Sequence, residues 1–426
     1  MGLLRCLPTR GRRKSDGPLQ TIAGALPALG SITKGCVFAP RCPLAEEACR
    51  AADPPFMEVT AGHYSRCIHY DKVVPAAMSA SMAQRSDPGI FPTHNGPPIL
   101  AVENLSKTFG AKKHALPVLR HIGLQLAAGE TLGLVGESGS GKTTLARLLL
   151  GLSEPDEGGR IELDGRPLQP LLGQRSREAV KSVQIIFQNP DSALNRSHTI
   201  RRIIGRAIRK LAGVSGTTGS DKLLELTRAV RLSERQLTVR PRQLSGGLKQ
   251  RVAIARAFAG DPRIVVCDEP TSSLDVSVQA AILNLLVELQ INRQVSYIFI
   301  SHDLGVVRYL ADRIAVLYLG RLMEIGPAEQ VFAGPHHPYT EALLSAIPTI
   351  GERNPERIRL SGEIPSAVNP PSGCVFHTRC PRKLGAICEQ QEPAVNEAGR
   401  GHGIRCHIPV ADLARMQSAA PEEVAV

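Results

Sequence analysis

The chain has 426 residues, 42% of them hydrophobic and 21% charged, with a net charge of +12. That length and apolar share suit two or three packed domains and exclude a chain disordered throughout. No apolar run nears the roughly eighteen residues that span a bilayer, and the opening MGLLRCLPTRGRRK holds too short an apolar stretch for an export signal, so a cytoplasmic location is expected. The positive charge suits nucleic acid, an anionic membrane surface, nucleotide phosphates or plain solvation, and does not choose among them.

Residues 1–72 carry Cys36, Cys42, Cys49 and Cys67, separated by five, six and seventeen residues. The string GCVFAPRCP at 35–43 returns as GCVFHTRCP at 373–381, where Cys374, Cys380, Cys388 and Cys406 are separated by five, seven and seventeen. Eight of the ten cysteines belong to this repeat. Without an export signal they are expected to be reduced, which favours metal ligation or plain thiols over disulfides. Neither set contains the Cys-x-x-Cys pair of common zinc ribbons, but four thiolates satisfy a tetrahedral ion or a cluster. Cys267 sits in an apolar strand and should be buried, and Cys6 has no visible role.

Residues 73–97 are rich in Pro, Ala and Ser and read as a linker. From 98 onward TLGLVG, VQIIFQ, RIVVCDE, SYIFISH and RIAVLYLG alternate with amphipathic helices, which predicts an α/β fold around a largely parallel sheet covered on both faces. Within 277–290, Val278, Ala281, Ile282, Leu285, Leu286 and Leu289 keep the spacing of one buried helix face. The arginine-rich stretch 195–240 breaks the strand rhythm and predicts a helical insertion, and 334–426 turns rich in Pro and Gly as it runs into the second cysteine set.

GESGSGKTT comprises Gly136, Glu137, Ser138, Gly139, Ser140, Gly141, Lys142, Thr143 and Thr144, between the strand TLGLV and the apolar LARLLLGL. A glycine-rich turn between a strand and a helix start is the setting of a phosphate-binding loop. Its backbone N–H groups face phosphate oxygens and the helix terminus adds positive potential. Lys142 then reaches the β- and γ-phosphates of ATP, and Thr143 ligates Mg²⁺. Farther on, RIVVCDEP places an apolar strand before Asp268 and Glu269. One carboxylate there serves the Mg²⁺ shell and the next orients or deprotonates the attacking water. An acidic strand end is commonplace by itself.

Between these motifs lies LSGGLKQR at 244–251, and with it residues 98–333 resemble the nucleotide-binding domain of an ABC transporter, a P-loop ATPase with a helical subdomain. Ser245, Gly246 and Gly247 open a helix whose bare amides suit a γ-phosphate, and the resemblance implies that they cap ATP held by the opposite subunit. It implies further roles: Gln188 in IIFQNP joins Mg²⁺ and water to the membrane contact, and Asp275 in SSLD crosses the dimer interface. His302 in FISHD contacts the γ-phosphate, and Phe109 in LSKTF stacks on adenine. One residue departs: the family commonly has Gln where this chain has Leu248, which donates no side-chain hydrogen bond, so the partner's site is expected to be weaker.

Outside the ATPase core, GPHHPYTEALLSAIP and GEIPSAVNPPSGCVFHTRCP resemble the C-terminal extension of oligopeptide and dipeptide importer ATPases, and residues 1–72 resemble the end of the same extension from a sister ATPase. A truncated double-ATPase gene, or a start site set too late, is the expected origin of the repeat. The resemblance implies a head-to-tail dimer with a sister ATPase or a second copy, below two membrane permease subunits on the cytoplasmic face, served by an extracellular solute-binding protein and without nucleic acid. It also makes a [4Fe-4S] cluster on Cys374, Cys380, Cys388 and Cys406 an expectation, and extends it to Cys36, Cys42, Cys49 and Cys67 if that segment folds. Two other readings stay open: a nucleic-acid-associated ABC ATPase with no membrane partner, and a metal or redox sensor with a regulatory nucleotide site.

Overall fold

The stretches Thr131–Val135, Ile264–Asp268 and Ser296–Ile300 are buried at every position, as strands covered on both faces must be. The computed structural model describes residues 2–8, 12–24, 34–72, 96–110, 115–347 and 357–418, and it places these stretches in the middle of a large sheet. Along the chain, β1 (Met57–Thr60) and β2 (His63–Ser65) form a hairpin. β3 (Pro98–Phe109), β4 (Leu116–Ala127), β6 (Arg160–Leu163) and β7 (Arg166–Pro167) make an antiparallel sheet. The large sheet holds β5 (Thr131–Val135), β8 (Val183–Ile186), β9 (Ile264–Asp268) and β10 (Ser296–Ile300). It is completed by β11 (Arg313–Tyr318), β12 (Arg321–Pro327), β13 (Val395–Gly399) and β14 (His402–Arg405).

Its order is β13-β14-β12-β11-β5-β10-β9-β8. The five strands from β11 to β8 pair in parallel, as the strand–helix rhythm predicts. The other three are antiparallel, and two of them come from the C-terminal tail, where Glu324 and Ile325 pair with Ile404 and Gly403. The tail is thus less irregular than its composition implies. A buried pair fixes the junction: His402 Nε2 lies 2.7 Å from Glu324 Oε1, while the His337 N–H donates to Glu324 Oε2 at 2.8 Å.

One core lies between the two sheets around helix Lys142–Leu149. The other joins the opposite face of the large sheet to the predicted helical insertion, which consists of helices Ile200–Leu211 and Gly216–Ala229. Helix Val276–Arg293 buries more than the predicted face: Leu283, Asn284 and Gln290 are covered too, while Val278 and Ala281 are only half-buried.

The extra cover is the N-terminal segment. Leu19 and the Asn284 amide exchange two hydrogen bonds of 2.8 Å, and Cys6 is buried in the same core, which gives that cysteine a packing role. Most of the predicted linker, 73–95, lies outside the described residues. No described helix is long and apolar enough to cross a membrane.

Candidate nucleotide site

β5 ends at Val135 and the chain turns through 136–141 into helix Lys142–Leu149, the predicted strand–loop–helix. Two glycines are required by contact. A Cβ on Gly136 (φ 149°) would stand 2.1 Å from the Leu317 carbonyl oxygen, and one on Gly141 (φ 107°) would stand 2.7 Å from Leu119 Cδ2. Ser138 and Gly139 are exposed at the tip, Ser140 is buried, and Thr143 and Thr144 lie on the first turn. Lys142 Nζ donates to the Gly136 carbonyl at 2.7 Å, the Glu137 carbonyl at 2.9 Å and Ser140 Oγ at 3.3 Å. Burial pushes its pKa down, opposed by Glu269, Asp268 and Glu137.

β9 delivers Asp268 to the same place, where it accepts a hydrogen bond from Thr143. Burial and the neighbouring Glu269 raise its pKa, against Thr143, Lys142 and Arg147. Glu269 turns out of the strand with φ 45°, its N–H bonded to the Ile300 carbonyl at 3.0 Å. Its Oε2 accepts from Gln188 Nε2 at 2.9 Å and stands 3.3 Å from His302 Nδ1. Five predicted residues, Thr143, Asp268, Glu269, Gln188 and His302, therefore converge beside the loop.

Other predicted residues lie apart. Phe109 is exposed at the end of β3, with Lys107 Nζ 5.2 Å from its ring centroid. Ser245 precedes helix Gly246–Ala257, and a Cβ on Gly247 would meet Val278 Cγ1 at 2.5 Å, so only glycine fits there. Leu248 packs against the core, a use that Gln would not serve. Asp275 caps helix Val276–Arg293 by position and is exposed.

Sequence reasoning missed Arg379 and Tyr339. Arg379 grips the Glu137 carboxylate with Nη1 to Oε2 at 2.7 Å and Nη2 to Oε1 at 3.2 Å, and the Tyr339 hydroxyl accepts from the Glu137 N–H at 2.8 Å. The available signal was the arginine shared by both copies of the cysteine repeat.

All ten cysteines are free thiols. In the C-terminal set, burial raises Cys374 to about 11 and Cys380 to about 12, and Cys406 also upward. Their charges also act on one another: Cys406 and Cys388 on Cys374, all three others on Cys380, and Cys388 on Cys406. As they stand, no three His, Cys, Asp or Glu side chains among the described residues are placed to hold a metal ion.

The N-terminal set repeats the backbone. The Cys36 N–H donates to the Cys49 carbonyl at 2.8 Å as the Cys374 N–H does to Cys388 at 2.9 Å. A Cβ on Gly35 or Gly373 would meet a backbone oxygen at 2.6 Å, that of Arg50 or of Cys388.

Comparison with known proteins agrees with this geometry. A family model described as "ABC transporter" matches residues 119–272, and one described as "Oligopeptide/dipeptide transporter, C-terminal region" matches both 1–49 and 323–388. The oligopeptide transport ATP-binding protein AppF of Bacillus subtilis is 43% identical over 291 residues, 67% of this chain and 88% of the relative. The oligopeptide transport ATP-binding protein OppF of Haemophilus influenzae is 41% identical over 309 residues, 72% of this chain and 92% of the relative. With the phosphate loop, the signature loop and both tail matches in place, the chain belongs to the ATP-binding proteins of the oligopeptide/dipeptide ABC transporter family.

Proposed function

We propose that the chain is the ATP-hydrolysing subunit that energises import of di- or oligopeptides through a membrane ABC transporter. The observation that carries the reading is the meeting of Gln188, Glu269 and His302 beside the Thr143–Asp268 pair. MgATP supplies an electrophilic γ-phosphoryl group whose charge the metal spreads. Thr143, Asp268 and Gln188 would hold the magnesium, and the hydroxyl–carboxylate pair already formed by Thr143 and Asp268 fits a hard cation. Lys142 and the loop amides bind the β- and γ-phosphates, and Phe109 offers its exposed face to adenine. Glu269 orients a water and takes up its proton, while His302 steadies Glu269 and reaches the γ-phosphate.

Ser245, Gly246, Gly247 and Asp275 would serve the site of an opposing ATPase, a sister chain or a second copy, below two permease subunits on the cytoplasmic face. Domain limits at 1–72, 98–333 and 334–426 go with this reading. In the assembled transporter, Glu269→Gln should retain ATP binding and lose roughly 10²–10⁴ in turnover. Near-normal hydrolysis and peptide uptake by that variant contradict the assignment.

We also propose Cys374, Cys380, Cys388 and Cys406 as holders of an iron–sulfur cluster. The support is that the fold brings the four thiols near enough for their charges to raise one another. The N-terminal set, Cys36, Cys42, Cys49 and Cys67, would do the same only if its segment folds. Iron and sulfide analysis of anaerobically prepared protein tests it, and a folded tail free of both refutes it.

A further inference from the structure

The phosphate loop is held from the far end of the chain. Glu137 is the second residue of the loop, and its polar groups are engaged on three sides. Its carboxylate takes the bidentate fork of Arg379, its N–H donates to the Tyr339 hydroxyl, and its carbonyl accepts from Lys142. One residue therefore connects Arg379 to the lysine assigned to the phosphates.

Arg379 is itself fixed. Its side chain is 8% exposed, and its Nη1 also donates to the Tyr318 hydroxyl at 3.4 Å. It lies between Cys374 and Cys380 in a turn closed by the His377 N–H to the Cys374 carbonyl and the Arg379 N–H to the Phe376 carbonyl, each at 3.0 Å. Phe376 anchors that turn, fully buried with its ring centroid 5.2 Å from both Tyr318 and Tyr339.

The N-terminal copy supplies a comparison within the molecule. GCVFAPRCP forms the same turns, the Ala39 N–H to the Cys36 carbonyl and the Arg41 N–H to the Phe38 carbonyl, each at 2.9 Å. Yet Arg41 donates to the carbonyls of Ala23 and Ile22 at 3.3 and 3.4 Å, and Val37 is 71% exposed where Val375 is buried. The motif alone does not direct its arginine to a carboxylate. Seating on the ATPase core does.

We propose that Arg379 is a positioning residue of the ATP site. It neutralises a carboxylate that would otherwise face the incoming polyphosphate, and it pins the loop so that its amides and Lys142 point at the phosphates. The cysteine-bearing tail is thereby a working part of ATP binding. The inference rests on residues 136–144 being that site.

The test is ATP affinity and steady-state hydrolysis of the full chain in its transporter. Arg379→Gln should raise Kd and KM for ATP about tenfold with kcat within about twofold, the split expected when ground-state binding is lost. Arg379→Lys should lose less, since it keeps the charge but not the fork. Adding Glu137→Gln to Arg379→Gln should recover most of the affinity, because the uncompensated carboxylate is gone.

An unchanged KM in Arg379→Gln overturns the proposal. So does a loss that Glu137→Gln leaves in place while proteolysis shows the tail released, since that is a purely structural role. Wild-type protein that neither binds nor hydrolyses ATP overturns the site assignment as well, whereas active wild type with an indifferent Arg379 overturns this inference alone.

Discussion

Lys14 Nζ lies 2.7 Å from Asp312 Oδ2, an ion pair between residues 298 positions apart in the sequence. The lysine side chain is 6% exposed and the aspartate 23%. The ammonium also donates to Gln290 Oε1 at 3.2 Å, and Asp312 accepts from the Thr131 N–H at 2.8 Å. The N-terminal stretch 12–24 is therefore wired into the ATPase core at the start of β5.

The two halves of the pair should respond unequally to removal. Burial lowers the Lys14 pKa and Asp312 is the main group opposing it, so Asp312→Ala strands a buried ammonium and also deprives the Thr131 N–H of its acceptor. It should cost about 3 kcal/mol. Lys14→Met keeps the length, removes the charge and leaves Asp312 partly solvated, and should cost no more than about 1 kcal/mol. Denaturant midpoints of the full chain measure both, and equal losses would mean that the pair matters for its contact rather than for its desolvated charge.

The parallel strands, the phosphate loop and the acidic end of β9 were legible because each is a local pattern. Five apolar residues in a row need no distant partner to be read as a buried strand, and GESGSGKTT carries its strand and helix on either side. The docking of Lys14, Leu19 and Cys6 was not legible, since no periodicity marks a segment whose contacts lie near residues 284, 290 and 312. β13 and β14 were hidden by VNEAG and HGIR, which are poor in β-branched residues and owe their place to the buried His402–Glu324 pair. Arg379 was visible only as part of a repeat whose two copies turn out to use it differently.

Gly136 and Gly139 share a loop and both have positive φ, but only one is crowded. Gly136→Ala drives a Cβ to 2.1 Å from the Leu317 carbonyl oxygen, while an added Cβ at Gly139 meets nothing within 4 Å. The first should cost about 2–4 kcal/mol and abolish ATP binding through displacement of the loop from β11. The second should cost about 1 kcal/mol, the strain of a left-handed alanine. Thermal unfolding with and without ATP separates the two, and similar losses would remove the role assigned to the Leu317 contact.

The raised thiols make stability depend on pH in metal-free protein. A folded-state pKa above the unfolded value means that the unfolded chain releases its proton first. The contribution of Cys374, raised to about 11 from an ordinary 9.0, is thus complete below pH 9 and fades as pH rises toward 11. Each such thiol should lower stability by up to about 1.4 kcal/mol per pH unit in that window. At pH 8 the buried Cys374 should alkylate slowly in the folded protein, while the half-exposed Cys36, Cys42 and Cys67 react first. Peptide mapping after timed alkylation reports the order, and early labelling of Cys374 would show that its burial does not persist in solution.

The last expectation concerns how one site is completed. Lys142, Thr143, Asp268, Glu269, Gln188 and His302 gather around the phosphate loop, but Ser245 stands exposed at the start of helix Gly246–Ala257, and Gly247 lies in that helix against Val278. The close approach of Gly247 to Val278 holds this helix start in place, and its amides suit a phosphate supplied by another molecule. Two chains arranged head to tail would set the signature loop of one over Lys142 of the other. Hydrolysis per chain should then fall steeply on dilution through the dimerisation range, and Ser245→Arg, a bulky charge at the helix start, should abolish turnover while the chain still binds ATP through its own loop. A specific activity that stays constant over a hundredfold dilution into the monomer range would show that one chain completes the site by itself, and would remove Ser245 and Gly247 from it.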